Sequence, residues 1–145
     1  MKPIKTWIVL ADAQTIRIAA NEGPGKGIYG VPNDGLAAPA VTELSDAPGV
    51  MNAPVGPNRG GINEPDLKAQ AAAAFAERIV THLDHALQSG QFQRLVLCAA
   101  PAMLGILRQR LTGPLKHALR ADIAKDLTHL PLNDLPAHLS DVMVV

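Results

Sequence analysis

The stretch from Glu64 to Leu111 constrains the fold most, because its hydrophobic pattern changes period twice. Glu64-Pro65-Asp66 reads as a helix start, since proline suits the first turn and acidic groups suit the positive end of the helix dipole. Leu67, Ala71, Phe75, Ile79, Leu83 and Leu87 then recur every fourth residue and lay one apolar face along the helix. Ser89-Gly90 stops it, with Gly90 suited to a left-handed cap. From Phe92 to Ala100 the helical period is gone, and Leu95-Val96-Leu97-Cys98-Ala99-Ala100 has the continuous apolar pattern of a strand covered on both faces. Pro101 opens a second helix carrying Met103, Leu104, Leu107 and Leu111, and Thr112-Gly113-Pro114 restarts a short third one through Leu119. Helix, buried strand and helix in succession specify a sheet with helices packed on it. The small side chains from Ala71 to Ala74 let the long helix lie close to that sheet.

The N-terminal part adds a hairpin. Thr6-Trp7-Ile8-Val9-Leu10-Ala11 is β-branched and apolar, Asp12-Ala13-Gln14 makes a turn, and Thr15 to Ala20 alternates with Ile16 and Ile18 on one side and Thr15 and Arg17 on the other. So short a link requires antiparallel pairing. Residues 21–61 are rich in glycine and proline and read as a long loop region, of the kind that is usually functional or mobile, with a further strand expected around Val41-Thr42-Glu43-Leu44. Ala121 to Leu127 reads as a last strand, followed by a short terminal helix capped by Asn133 and an apolar tail from Val142 to Val145. The expected architecture is a single α/β domain over residues 1–145, in two or three layers, with a mixed β-sheet of about five strands and flanking helices.

Size and charge narrow the function classes. A chain of 145 residues can bury roughly 70% of its unfolded surface without disulfide or metal. Phe75, Phe92, Trp7 and Tyr29 are its only aromatic residues apart from histidine, so aliphatic side chains and alanine must build the core. Thirteen basic and thirteen acidic residues cancel, which leaves no global field to draw nucleic acid or an anionic membrane. Arg108, Arg110, Lys116 and Arg120 lie close in sequence and read as a solvated helix face, with a local basic patch as the other possibility. Cys98 is the single cysteine, so no internal disulfide forms, and its apolar strand makes it a buried, inert thiol suited to a reducing compartment. Met1 to Leu10 lacks the features of a signal peptide, and no run approaches a membrane span of ~18 apolar residues, so a cytoplasmic location without membrane insertion is expected.

Four segments carry a resemblance: Lys5-Thr6-Trp7-Ile8-Val9-Leu10-Ala11-Asp12, Glu22-Gly23-Pro24-Gly25-Lys26-Gly27, Phe92-Gln93-Arg94-Leu95-Val96-Leu97 and Lys125-Asp126-Leu127-Thr128-His129-Leu130. In this order, across nearly the whole chain, they resemble the bacterial host-attachment protein family, and the last segment is the most specific. The resemblance implies a ribonuclease-H-like sheet, distantly similar to the middle domain of archaeal and eukaryotic release factors. It also implies a part in the attachment of bacteria to host cells, which is a cellular phenotype and not a chemistry. The release-factor domain places a Gly-Gly-Gln tripeptide before its long helix. Here Arg59-Gly60-Gly61-Ile62 stands in that place, and the alkyl group of Ile62 cannot orient a water, so peptidyl-tRNA hydrolysis is not expected.

Other motifs read as structure. Gly23-Pro24-Gly25-Lys26-Gly27 lacks the spacing and the hydroxyl of a phosphate loop and is a strand-to-strand connection. His82 and His85 are three residues apart, where zinc helices more often use four, with His82 at the border of the buried stripe and His85 outward. The candidate binding residues are Asp12, Arg17, Arg59, Lys125, Asp126, Thr128 and His129. Asp12 closes the first strand and Asp126 and His129 follow the last, so the polar groups meet if those strands are neighbours. Two readings stand side by side. In one, Asp12 forms a turn, Lys125 pairs with an acid, and Thr128 and His129 cap the final segment. In the other they form a site. No catalytic residue, metal or cofactor is assigned. The leading function is a non-enzymatic binding or adaptor protein with a protein or RNA partner, the ribosome included. The alternative is a small metal-dependent hydrolase or nuclease using Asp12, Asp126 and His129.

Overall fold

The computed structural model describes residues 4–32, 36, 64–143 and 145. In chain order the elements are β1 (Thr6–Ala11), β2 (Ile16–Asn21), β3 (Tyr29–Val31), α1 (Glu64–Gln88), β4 (Arg94–Ala99), α2 (Pro101–Arg110), α3 (Gly113–Ala118), β5 (Leu119–Ile123), a 3₁₀ turn (Leu132–Asp134) and α4 (Leu135–Leu139). The five strands form one mixed sheet in the order β3-β2-β1-β4-β5. β2 runs antiparallel to β1 and β3, with Leu10 opposite Arg17 and Ala20 opposite Tyr29. β4 runs parallel to both β1 and β5.

The pleat divides the strand residues between two faces. Trp7, Val9, Leu95 and Leu97 pack with Phe75, Ile79 and Leu83 of α1, Leu104 and Leu107 of α2, and Leu115 of α3. Ile8, Leu10, Ala19, Val96 and Cys98 face the opposite way, onto Leu127, Leu135 and Leu139. β1, at the centre of the sheet, and β4 beside it have both faces covered, which is why their sequences are continuously apolar. Burial pushes the Cys98 thiol up to about 12, as a buried and inert side chain requires.

Local chemistry sets the element ends. Gly90 has φ +78°, and the N–H of Gln91 reaches Ala86 O at 2.9 Å, which closes α1 with a glycine C-cap. Thr112 Oγ1 accepts from Leu115 N at 3.4 Å at the start of α3. Trp7 stacks on Phe92 at 4.7 Å and on His82 at 6.3 Å between ring centroids. These contacts place the last turns of α1 beside the start of β1, so α1 begins toward the opposite edge, where β1 and β4 end.

Three expectations change and a fourth falls outside the described residues. The strand that completes the hairpin side is Tyr29–Val31, inside the segment read as loop. Three residues with a central glycine give too short a pattern to read, and an edge position tolerates both that glycine and the following Pro32. The strand expected at Val41 to Leu44 lies outside the described residues. The last strand is Leu119–Ile123 and not 121–127, because α3 ends at Ala118 and the chain turns away after Ile123 to bury Leu127 against the other face. Asn133 does not cap the terminal helix: it sits inside the 3₁₀ turn, and α4 starts after Asp134 without a side-chain cap bond.

Candidate functional site

Because β1, β4 and β5 are parallel, Ala11, Ala99 and Ile123 end at one edge of the sheet, where β2 also begins. Asp12 stands there. Its N–H donates to Thr15 O at 3.0 Å, and its Oδ1 accepts from Gln14 N at 2.7 Å, Thr15 N at 2.6 Å and Thr15 Oγ1 at 3.0 Å. The carboxylate therefore closes the hairpin turn by mimicking a backbone acceptor. Partial burial works to raise its pKa, but the donors of Gln14, Thr15 and Thr128 outweigh that and hold the carboxyl below its ordinary value of 3.8.

Thr128 joins Asp12 to Asp126. Its N–H and hydroxyl both meet Asp126 Oδ1, at 3.0 and 2.6 Å, and the hydroxyl lies 3.4 Å from Asp12 Oδ2. The hydroxyl has one proton, which the two carboxylates share, the shorter and stronger contact being to Asp126. Thr128 itself is only 4% exposed. Its carbonyl accepts from Arg17 Nη1 at 2.9 Å, and the same nitrogen donates to Leu130 O. Four of the candidate residues, Asp12, Arg17, Asp126 and Thr128, thus form one bonded group.

The route to that meeting differs from the expected one. β4 stands between β1 and β5, so the first and last strands are not neighbours. The loop after β5 carries Asp126 and Thr128 across the end of β4 to reach Asp12 and Arg17. Lys125 and His129 are exposed and take no part in the bonded group. Arg59, with Gly60, Gly61 and Ile62, lies outside the described residues. Among the described residues no three His, Cys, Asp or Glu side chains are grouped to hold a metal ion.

Sequence reasoning placed Arg17 on the polar side of β2. The structure places it on a covered face, opposite Leu10 and under the C-terminal segment. A guanidinium between Ile16, Ile18 and Ala19 was the available signal, since a long cation can bury its stem and bond with its head. The sequence also gave no sign of a cleft of about 320 Å³ beside Arg17, formed with Leu10, Gly30, Val31 and Leu132.

The remaining motifs lie apart from this bonded group. Gly23, Gly25 and Gly27 all have positive φ in the β2–β3 connection, which Asn21 ties through Gly23 N at 2.9 Å and Gly27 O at 2.7 Å. His85 is exposed. Of the four basic residues, Arg108 is paired with Asp122, with Nε to Oδ2 at 2.9 Å, and Arg110 Nε lies 4.0 Å from Glu77 Oε1, while Lys116 and Arg120 are exposed.

A mixed five-stranded α/β sheet, with α1, α2 and α3 on one face, the short α4 on the other and a bonded polar group at its strand ends, defines the class of protein. The family model described as protein required for attachment to host cells matches residues 7–139, and the chain belongs to that family. An uncharacterized protein of Rickettsia prowazekii (strain Madrid E) is 36% identical to it over 72 residues. That match covers 47% of this chain and 48% of the relative, about half of each. No helix of the described residues is long and apolar enough to cross a membrane.

Proposed function

We propose that this chain is a non-enzymatic binding protein in the attachment of bacteria to host cells, and that it engages a protein or RNA partner at the strand-end edge. The observation that carries this reading is the state of Asp12. Its carboxylate is already occupied by Gln14, Thr15 and Thr128, which suits an acceptor that holds a surface in shape and not a base that must take a proton. Asp126 is likewise committed to Thr128. The exposed Lys125 and His129 flank this fixed group and present the groups a partner would read. The family description supports the role in attachment. The strand order with β2 alone reversed supports kinship with ribonuclease-H-like sheets and release-factor middle domains, hence RNA or the ribosome within the partner class. The end of β4, Cys98-Ala99-Ala100, offers no carboxylate for a metal-dependent nuclease.

A double variant, Lys125→Glu with His129→Gln, tests the reading. Both side chains are exposed, so stability should change by less than ~0.5 kcal/mol per site, while recovery of the native partner from lysate falls. Unchanged recovery would remove the edge from the binding surface. RNA cleavage that requires Mn²⁺ and disappears in Asp12→Asn would replace the binding reading with the hydrolase alternative.

A further inference from the structure

The geometry points to the cleft beside Arg17 as a site for a small aliphatic carboxylate. Val31, Pro32 and Leu132 give it apolar walls, Leu10 lies sealed at its base, and Gly30 opens it by leaving out a side chain. Its volume of about 320 Å³ falls at the small end of the roughly 300–1,000 Å³ typical of small-molecule sites. Arg17 supplies the single charged group of the lining.

The guanidinium is half committed. Nη1 is used by two neutral carbonyls, Thr128 O and Leu130 O. Among the described residues no carboxylate forms an ion pair with Arg17. The sealed and unbonded side-chain nitrogens of the described residues are His82 Nε2 and Arg110 Nε, so the remaining Arg17 donors stay accessible. Nε and Nη2 form the side-on fork that matches the two oxygens of a carboxylate. A cation held by neutral acceptors under an apolar cover gains from an anion that brings its own apolar tail. Charge complementarity thus selects the head group, and the walls select the tail. The site uses β2, β3 and Leu132, not Lys125 or His129, so it goes beyond the partner-binding edge proposed above.

Amide NMR of the whole chain titrated with sodium hexanoate tests it. Saturable shifts are expected at Arg17, Gly30, Val31 and Leu132, with Kd of about 1 mM or tighter. Gly30→Val should weaken binding at least tenfold, about 1.4 kcal/mol. Gly30 lacks a positive φ, and a Cβ there would meet Leu132 Cδ1 at 3.8 Å, an ordinary contact, so the valine side chain enters the cleft toward Leu132, and unchanged amide shifts outside the cleft check that the variant keeps the fold. Arg17→Gln should also abolish binding, and Gly30→Val decides the matter if Arg17→Gln loosens the C-terminal segment. Hexylamine and hexan-1-ol should bind at least tenfold more weakly than hexanoate. The proposal fails if either binds equally, if Gly30→Val binds hexanoate as the wild type does, or if inorganic phosphate alone gives the same shifts and affinity. Gly30→Val that loses hexanoate but recovers the native partner separates this site from the partner-binding edge.

Discussion

The two faces of the sheet are covered by different means. On one, α1, α2 and α3 bring rows of large side chains, and Phe75, Ile79, Leu83, Leu104 and Leu115 are fully sealed. On the other, the segment from Leu127 to Met143 brings Leu127, Leu135 and Leu139 plus a rim of half-buried side chains that includes Leu130, Leu132, Val142 and Met143. Regular helices satisfy their own backbone and leave the side chains free to pack. The irregular cover cannot, and it borrows donors instead: Arg17 for the carbonyls of Thr128 and Leu130, and Gly25 N for Val145 O at 3.2 Å. The comparison teaches that the helical face rests mainly on apolar area, with side-chain ties such as Thr112 to Asp84 and Arg108 to Asp122 at its rim, whereas the other face depends on ties to its own backbone carbonyls, and the second is the one that a single polar substitution should unfasten.

The largest effects should mark the helical face. Phe75→Ala should cost about 3–5 kcal/mol, as removal of a fully buried aromatic ring usually does, in urea melts followed by far-UV circular dichroism. Leu135→Ala, in the cover, should cost less, about 2–3 kcal/mol, because an irregular segment collapses more readily around the gap. An equal or larger loss for Leu135 would mean that the two faces are packed alike.

Arg17→Met sharpens the contrast. It keeps most of the stem but leaves Thr128 O and Leu130 O without their charged donor, a loss of about 1.5–3 kcal/mol. The loss should be local to the cover. Cys98 reports it, because this thiol lies beneath the cover and reacts only on opening. In the wild type, labelling by a thiol reagent should be slow. In Arg17→Met it should accelerate about tenfold for each 1.4 kcal/mol taken from local opening, while amides of α1 keep their protection. Uniform loss of protection across α1 and the cover would show that the two faces open together.

The same contrast explains what the sequence displayed. The fourfold spacing from Leu67 to Leu87 and the apolar run from Leu95 to Ala99 are the patterns that regular, well-buried elements impose, and α1 and β4 were legible from them. Tyr29–Val31 and Leu119–Ile123 were harder, since edge strands with half-buried residues carry little pattern. In the candidate group, Asp12 was legible as a turn former and Asp126 and Thr128 through the segment they share. Their meeting was not, because it depends on a loop that crosses β4 and on an arginine bonding to carbonyls, and backbone acceptors have no letter in a sequence. Arg17 was grouped with the solvent side for the same reason: alternation separates two faces but does not say whether an irregular segment later covers one of them.

Asp12 gives the smallest and most specific effect, since it ties the hairpin turn of the helical-face strands to the cover. Its folded pKa is depressed, so its contribution to stability is fully present above the unfolded value near 3.8 and is lost as pH falls through the folded value. Asp12 is half-buried at the edge of the sheet, and solvent screening still limits the contribution to about 0.5–1 kcal/mol. Asp12→Asn should therefore be less stable than the wild type by about that amount at neutral pH. The difference should shrink on acidification below the unfolded value, because the wild-type carboxyl is then protonated and no longer favoured by the donors of Gln14 and Thr15. Melting curves of both proteins from neutral pH down to about pH 2.5, across the carboxylate range, check the sign. A gap that stays constant would mean that the turn depends on the shape of the side chain and not on its charge. A gap that widens with acid would mean that Asp12 is destabilising when charged, and the bonds from Gln14, Thr15 and Thr128 would have to be weaker than their 2.6–3.4 Å lengths imply.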